Sequence, residues 1–127
     1  PRIIFVPTIK TAKILGFILN IFMQCYVCTS ESEDRDEIIY HFKQNPLGVM
    51  IATTVLERGV TIPKADICVW HANHSVFDEA GLIQMAGRAG RSFTSPEGDV
   101  LFLCSEKTEL VQFCKEKIEQ ANHVCIV

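Results

Sequence analysis

The order of the apolar runs constrains this chain more than any other feature. "RIIFVP", "GVMIAT" and "DICVWH" are continuous β-branched and apolar stretches without clean two-residue alternation, the pattern of strands buried on both faces. Segments of helical period separate them. In order, the chain reads as strand 3–7, helix 9–23, strand 25–29, helix 33–44, strand 48–53, a short helical turn at 55–58, strand 66–71, helix 77–89, strand 99–104 and helix 107–121. Strands and helices alternating in this way need crossover connections, so the expected class is α/β, a parallel sheet with helices on both faces. Ser30-x-x-Glu33 and Ser75-x-x-Asp78 resemble capping boxes ahead of two of the helices, the second with Asp for the usual Glu.

At 127 residues the chain fits one domain, 1–127. A net charge of −3 argues against coating nucleic acid by bulk electrostatics, so any phosphate contact must be local. Asn20 and Gln24 interrupt the longest apolar run well short of a bilayer span, and there is no secretory signal pattern. The expected compartment is the cytoplasm. Of six cysteines, only Cys25 and Cys28 are close, and their odd spacing in a strand points them to opposite faces. No second pair has metal-ligand spacing, so the thiols are expected to be reduced core residues and no metal is expected. The chain enters a strand at once from Pro1, without a start methionine. This leads to the expectation of a piece of a longer protein.

In open α/β sheets ligands bind beyond the carboxyl ends of the strands. Those positions hold Thr8, Ser30, Thr53, Thr54 through Gly59, His71 to His74, and Ser105. The two histidines lack a third ligand and are expected to be loop residues packed beside the cleft. Helix 9–23 is apolar almost all round, which suits either a helix wedged deep in the core or a patch covered by another domain.

"GLIQMAGRAGRS" (81–92) carries charge on an otherwise apolar helix. At 100° per residue Gln84, Arg88 and Arg91 share one stripe, while Leu82, Ala86 and Ala89 lie opposite. Gly87 borders the polar stripe and admits a close approach, whereas Gly90 suits a helix end. Two guanidinium forks on one face can clamp phosphate oxygens, although arginine is also favourable simply as a helix C-terminal charge.

The string Gln84-x-x-Gly-Arg-x-Gly-Arg91 resembles motif VI of superfamily 2 helicases and translocases. "IIFVPT" (3–8) and "MIATTVLERGVTIP" (50–63) resemble their motifs IV and V, in the same order. The resemblance implies the second RecA-like, P-loop NTPase-like lobe, the helicase C-terminal domain. The stretch from Thr53 to Ser92 is closest to the ComFA family of competence ATPases, which drive transforming DNA into Gram-positive bacteria; PriA-type helicases are the next relatives. By this resemblance Arg88 and Arg91 are trans-domain arginine fingers and Gln84 contacts the same cleft. Gly59, Thr61 and Gly87 lie near the nucleotide, and many relatives carry an acid where Thr54 and Thr61 stand. Thr8, Ser30, Thr53 and Thr54 contact the nucleic-acid backbone. Thr8 also suits a helix N-cap, and both roles are compatible.

The chain has no Gly-x-x-x-x-Gly-Lys-Ser/Thr phosphate loop. The expected cofactors, ATP and Mg²⁺, therefore belong mainly to an N-terminal RecA-like lobe outside this chain, with neither bound to this piece alone. Expected partners are that lobe, single-stranded DNA, other competence proteins and a membrane DNA channel, which would place the parent peripherally at the inner face of the membrane. A PriA-like or RNA helicase lobe is the runner-up. A regulatory module that docks an anionic partner through the Arg stripe, without hydrolysis, is the alternative of another class.

Overall fold

The apolar runs become strands and the periodic segments become the helices that connect them. The computed structural model describes residues 2–45, 47–53, 65–86, 99–106, 108–119 and 123–127. In chain order its elements are β1 (Arg2–Phe5), α1 (Ile9–Leu19), β2 (Cys25–Cys28), α2 (Arg35–Lys43), β3 (Val49–Ala52), β4 (Asp66–Trp70), α3 (Glu79–Ala86), β5 (Asp99–Leu103), α4 (Glu109–Ile118) and β6 (His123–Ile126). The six strands form one sheet in the order β2-β3-β1-β4-β5-β6. Every neighbouring pair is parallel. The expected α/β class with helices on both faces is what folds.

Burial follows position in the sheet. β3 is buried at all four residues, as befits an inner strand covered on both sides. α1 packs on one face through Ala12, against Val6 and Ile51. The opposite face carries α2, α3 and α4, whose Phe42, Leu82, Met85, Val111 and Cys114 close over Phe5, Met50 and Phe102. Each of these large apolar side chains contributes roughly 1.5–3 kcal/mol on burial. Cys25 sits with the α1 cluster and Cys28 with the other, so the two thiols do point to opposite faces.

Several boundaries differ from the sequence reading. α1 stops at Leu19 rather than 23, because Asn20 turns the chain and its Oδ1 accepts from Cys25 N (3.4 Å) at the start of β2. α1 is also no deeply wedged helix: Phe17 and Phe22 stand in solvent. Neither proposed capping box forms. Ser32 Oγ instead accepts from Thr29 N (3.0 Å), closing a turn that delays α2 to Arg35. Asp78 Oδ1 accepts from Gly81 N (2.7 Å), so Asp78 itself caps α3. α4 ends at Ile118, and a sixth strand absent from the sequence reading follows, extending the ladder with Val100 opposite Val124. The helical turn expected at 55–58 lies outside the described residues. Among the described residues no helix is long and apolar enough to cross a membrane.

Candidate nucleic-acid and nucleotide interface

The strand order decides which of the candidate residues meet. β1 lies between β3 and β4; its own connection leaves towards β2, whereas that of β4 leaves towards β5. The carboxyl ends of β1 and β4 are therefore the topological switch point where open α/β sheets bind ligands. On one side of it Ser30, Thr53 and Thr8 follow β2, β3 and β1, three adjacent strands in space that are not consecutive in sequence. Strands are roughly 4.8 Å apart, so the three hydroxyl residues form a row along one edge. The ladder holds that edge in register beyond the strands: Val6 N donates to Ala52 O (2.9 Å) and Thr53 N to Cys28 O (3.4 Å).

Each hydroxyl is held differently. Thr8 is the N-cap of α1; its Oγ1 accepts from Thr11 N (3.1 Å) and lies 2.8 Å from Thr11 Oγ1. Ser30 is exposed at the tip of the turn after β2. That turn is closed beneath it by Thr29, which is buried and whose Oγ1 accepts from Glu31 N (3.2 Å). Thr53 is 7% exposed, and its Oγ1 is buried without a hydrogen-bond partner among the described residues. A hydroxyl left unpaired in this way costs roughly 1–3 kcal/mol, and an arriving acceptor would recover it. Thr11 and Ser32 are the supporting residues that the sequence reading passed over; Thr29 was among the strand-end positions it marked. Thr8-x-x-Thr11, a threonine version of the capping spacing, was the legible signal for one of them.

Across the switch point, the loop after β4 is tied to the end of β5. Asn73 Nδ2 donates to Ser105 Oγ (2.9 Å), and Ser105 N donates to Asn73 Oδ1 (3.2 Å). His71 has a φ of 56°, in the left-handed region that side chains other than glycine avoid. Its Nε2 lies 3.4 Å from Ser105 Oγ. His74 Nδ1 accepts from Val76 N (3.0 Å). The two imidazoles meet edge to face, with centroids 5.3 Å apart. They act as loop histidines, and among the described residues no group of three or more His, Cys, Asp or Glu could hold a metal ion.

On α3, Gln84 is exposed while Leu82 and Met85 are fully buried, so the stripe begins on the solvent side of a helix whose other side packs. α3 descends from the carboxyl edge, and Gln84 lies beyond the start of this descent rather than in the hydroxyl row. Thr54, Gly59, Thr61, Gly87, Arg88 and Arg91 lie outside the described residues. A groove of about 350 Å³ lies elsewhere, at the amino ends of β1, β4 and β5, away from this edge.

The helicase conserved C-terminal domain family matches residues 2–93, which contain the hydroxyl row, Gln84 and both arginines but not Ser105. The chain belongs to that family. This helicase C-terminal domain is 37% identical over 125 residues to the competence protein ComFA of Streptococcus pneumoniae, covering 96% of this chain and 29% of that protein. It is 32% identical over 125 residues to the competence protein ComFA of Bacillus subtilis, covering 98% and 27%. The chain thus spans less than a third of these relatives. The C-terminal domain of the DEAD-box protein Dbp5 superposes with a TM-score of 0.67 at 25% identity, over 98% of this chain and 74% of that one. The RecA-like architecture expected for this helicase C-terminal domain agrees with that neighbour.

Proposed function

We propose that this helicase C-terminal domain is the second motor lobe of an ATP-dependent single-stranded-DNA translocase of the ComFA type, working in DNA uptake. The observation that carries the reading is the hydroxyl row, with the unpartnered Thr53 Oγ1 between Ser30 and Thr8 at the carboxyl edge. Hydroxyls of this kind and the N-terminus of α1 suit phosphate oxygens, and contacts to the backbone position a strand without reading its sequence. Thr54, the next residue in the sequence, is assigned to the same backbone contact. Likeness to competence proteins over nearly the whole chain favours DNA as the polymer.

In this reading Arg88 and Arg91 reach the γ-phosphate of an ATP held mainly by an N-terminal RecA-like lobe. Gln84 contacts the same cleft, and Gly59, Thr61 and Gly87 border the nucleotide. The guanidinium forks offset the charge that builds on the transferring phosphoryl group, an effect worth about 10³–10⁵ in rate. In this reading Mg²⁺ is held by the other lobe with the ATP, and no step is routed through this one. Other competence proteins and a membrane DNA channel are the further partners implied.

The test is ATP hydrolysis by the full-length parent with single-stranded DNA, RNA and duplex side by side. Single-stranded DNA should stimulate most, and Arg88→Ala and Arg91→Ala should each abolish turnover while sparing ATP binding. Normal turnover by both variants overturns the finger assignment; stronger stimulation by RNA or duplex favours the RNA-helicase or PriA-like reading. A parent that binds DNA but never hydrolyses ATP leaves the anion-binding module.

A further inference from the structure

α1 is apolar on two faces, and the sheet uses only one. Ala12 and Gly16 are buried towards the strands. On the far side Ile14 is 52% exposed, Phe17 76%, Ile18 47%, Ile21 70% and Phe22 76%. Their spacing of i, i+3, i+4, i+7 and i+8 is the stripe one helix presents to another. Turn bonds from Ile21 N to Ile18 O (3.3 Å) and from Phe22 N to Leu19 O (3.0 Å) carry the stripe past the helix end. Polarity therefore changes along the axis: Thr8, Lys10, Thr11 and Lys13 occupy the first half, and the second half is apolar all round. The groove at the amino edge adjoins this second half through Leu19 and Met23, with the exposed Asp66 and Asp99 also lining it.

We infer that a second copy of this chain covers the stripe, with the two α1 helices packed antiparallel about a twofold axis near Ile18. Area and charge both select this occupant. Aromatic side chains present roughly 150–250 Å² each and isoleucines somewhat less, so at their fractional exposures the five offer at most on the order of 600 Å² per copy. A twofold pairing then buries on the order of 1,200 Å², the lower end of specific interfaces. An isologous contact needs a self-complementary patch, and with the axis at Ile18 the Ile14 of one copy meets Phe22 of the other. The last turn of α1 carries no basic residue to offset its carbonyl end. Antiparallel packing brings Lys10 and Lys13 of one copy towards that end of the other, where Asp66 and Asp99 add negative charge. Parallel packing would set lysine against lysine. Lys13 also pairs with Glu31 (3.3 Å) within its own chain, an exposed contact, whereas Lys10 has no ion pair among the described residues. The stripe lies in the second half of α1, away from Thr8 at its N-cap.

Sedimentation velocity of the 127-residue chain over a dilution series tests this. The expected result is reversible association to twice the 14.3 kDa chain mass. Phe17→Glu and Phe22→Glu change exposed positions and should keep the far-UV circular dichroism while weakening self-association by roughly tenfold or more, the order of a hot-spot loss. Under mild oxidation Ile18→Cys should form a covalent dimer above the unmodified chain's background, and Lys10→Cys should not. A monomer at every concentration overturns the inference, including one that instead binds lipid vesicles or another segment of a longer parent. So do association indifferent to the two Glu variants and efficient cross-linking at position 10. None of these outcomes touches the proposed DNA role, which fails separately if the parent does not bind single-stranded DNA.

Discussion

Thr53 shows how one atom can separate stability from binding. Its hydroxyl is buried and unpartnered, so Thr53→Val removes a polar group that gains nothing in the free protein. The urea midpoint of Thr53→Val should be unchanged or higher, while affinity for single-stranded DNA falls; a lower midpoint would mean the hydroxyl is satisfied before any ligand arrives. Thr8 allows the complementary separation, because aspartate caps a helix at least as well as threonine but repels phosphate. Thr8→Asp should keep the melting temperature and lose DNA affinity, most visibly at low salt, whereas Thr8→Ala should cost about 1 kcal/mol of stability through the lost cap. Cys68 carries a prediction in pH. Burial pushes its thiol up from 9.0 to about 11, so the folded chain keeps a proton that the unfolded chain releases. The stability from this group is whole below about pH 9 and declines as pH rises towards 11. Denaturation midpoints across that window and thiol alkylation of the native protein check it, with exposed Cys125 expected to react before Cys68.

At the scale of elements, α1 depends on a missing side chain. Gly16 lies so close to β2 that a Cβ there would overlap Cγ2 of Val27. Gly16→Ala should lift the helix from the sheet and cost roughly 1–3 kcal/mol, the range of an overpacked core, read as a lower denaturation midpoint with little change in helix content. Among the described residues, element type was legible for every strand and helix except β6, because the two periods differ. Boundaries were not, and particular residues explain why. Asn20 uses its side chain to start β2, Ser32 closes a turn instead of letting Ser30 cap α2, and Asp78 does the capping assigned to Ser75. In each case a short polar side chain had two possible partners at similar spacing, and the fold chose. β6 went unread because four residues of strand leave little signal, and what holds them is the neighbouring edge of β5.

For the whole molecule, the decisive relation in the proposed function is between the row of hydroxyls and the stripe with Arg88 and Arg91 that the sequence suggests. If the row binds DNA and the stripe serves ATP in another lobe, then Thr53→Val and Arg91→Ala in the full-length parent should fail differently. The first should raise the DNA concentration needed for half-maximal hydrolysis; the second should remove turnover at any DNA concentration. Steady-state titration with single-stranded DNA distinguishes them, and identical profiles would argue against two separate sites. The amino-acid sequence by itself determined the α/β class and the family through motifs of fixed spacing, because periodicity and local spacing are properties of contiguous residues. Only the tertiary structure decided that Ser30, Thr53 and Thr8 stand side by side, that the Thr53 hydroxyl lacks a partner, and that half of α1 faces solvent. Those follow from the order β2-β3-β1 and from which face each helix covers, and such long-range choices rest on packing that no local pattern contains.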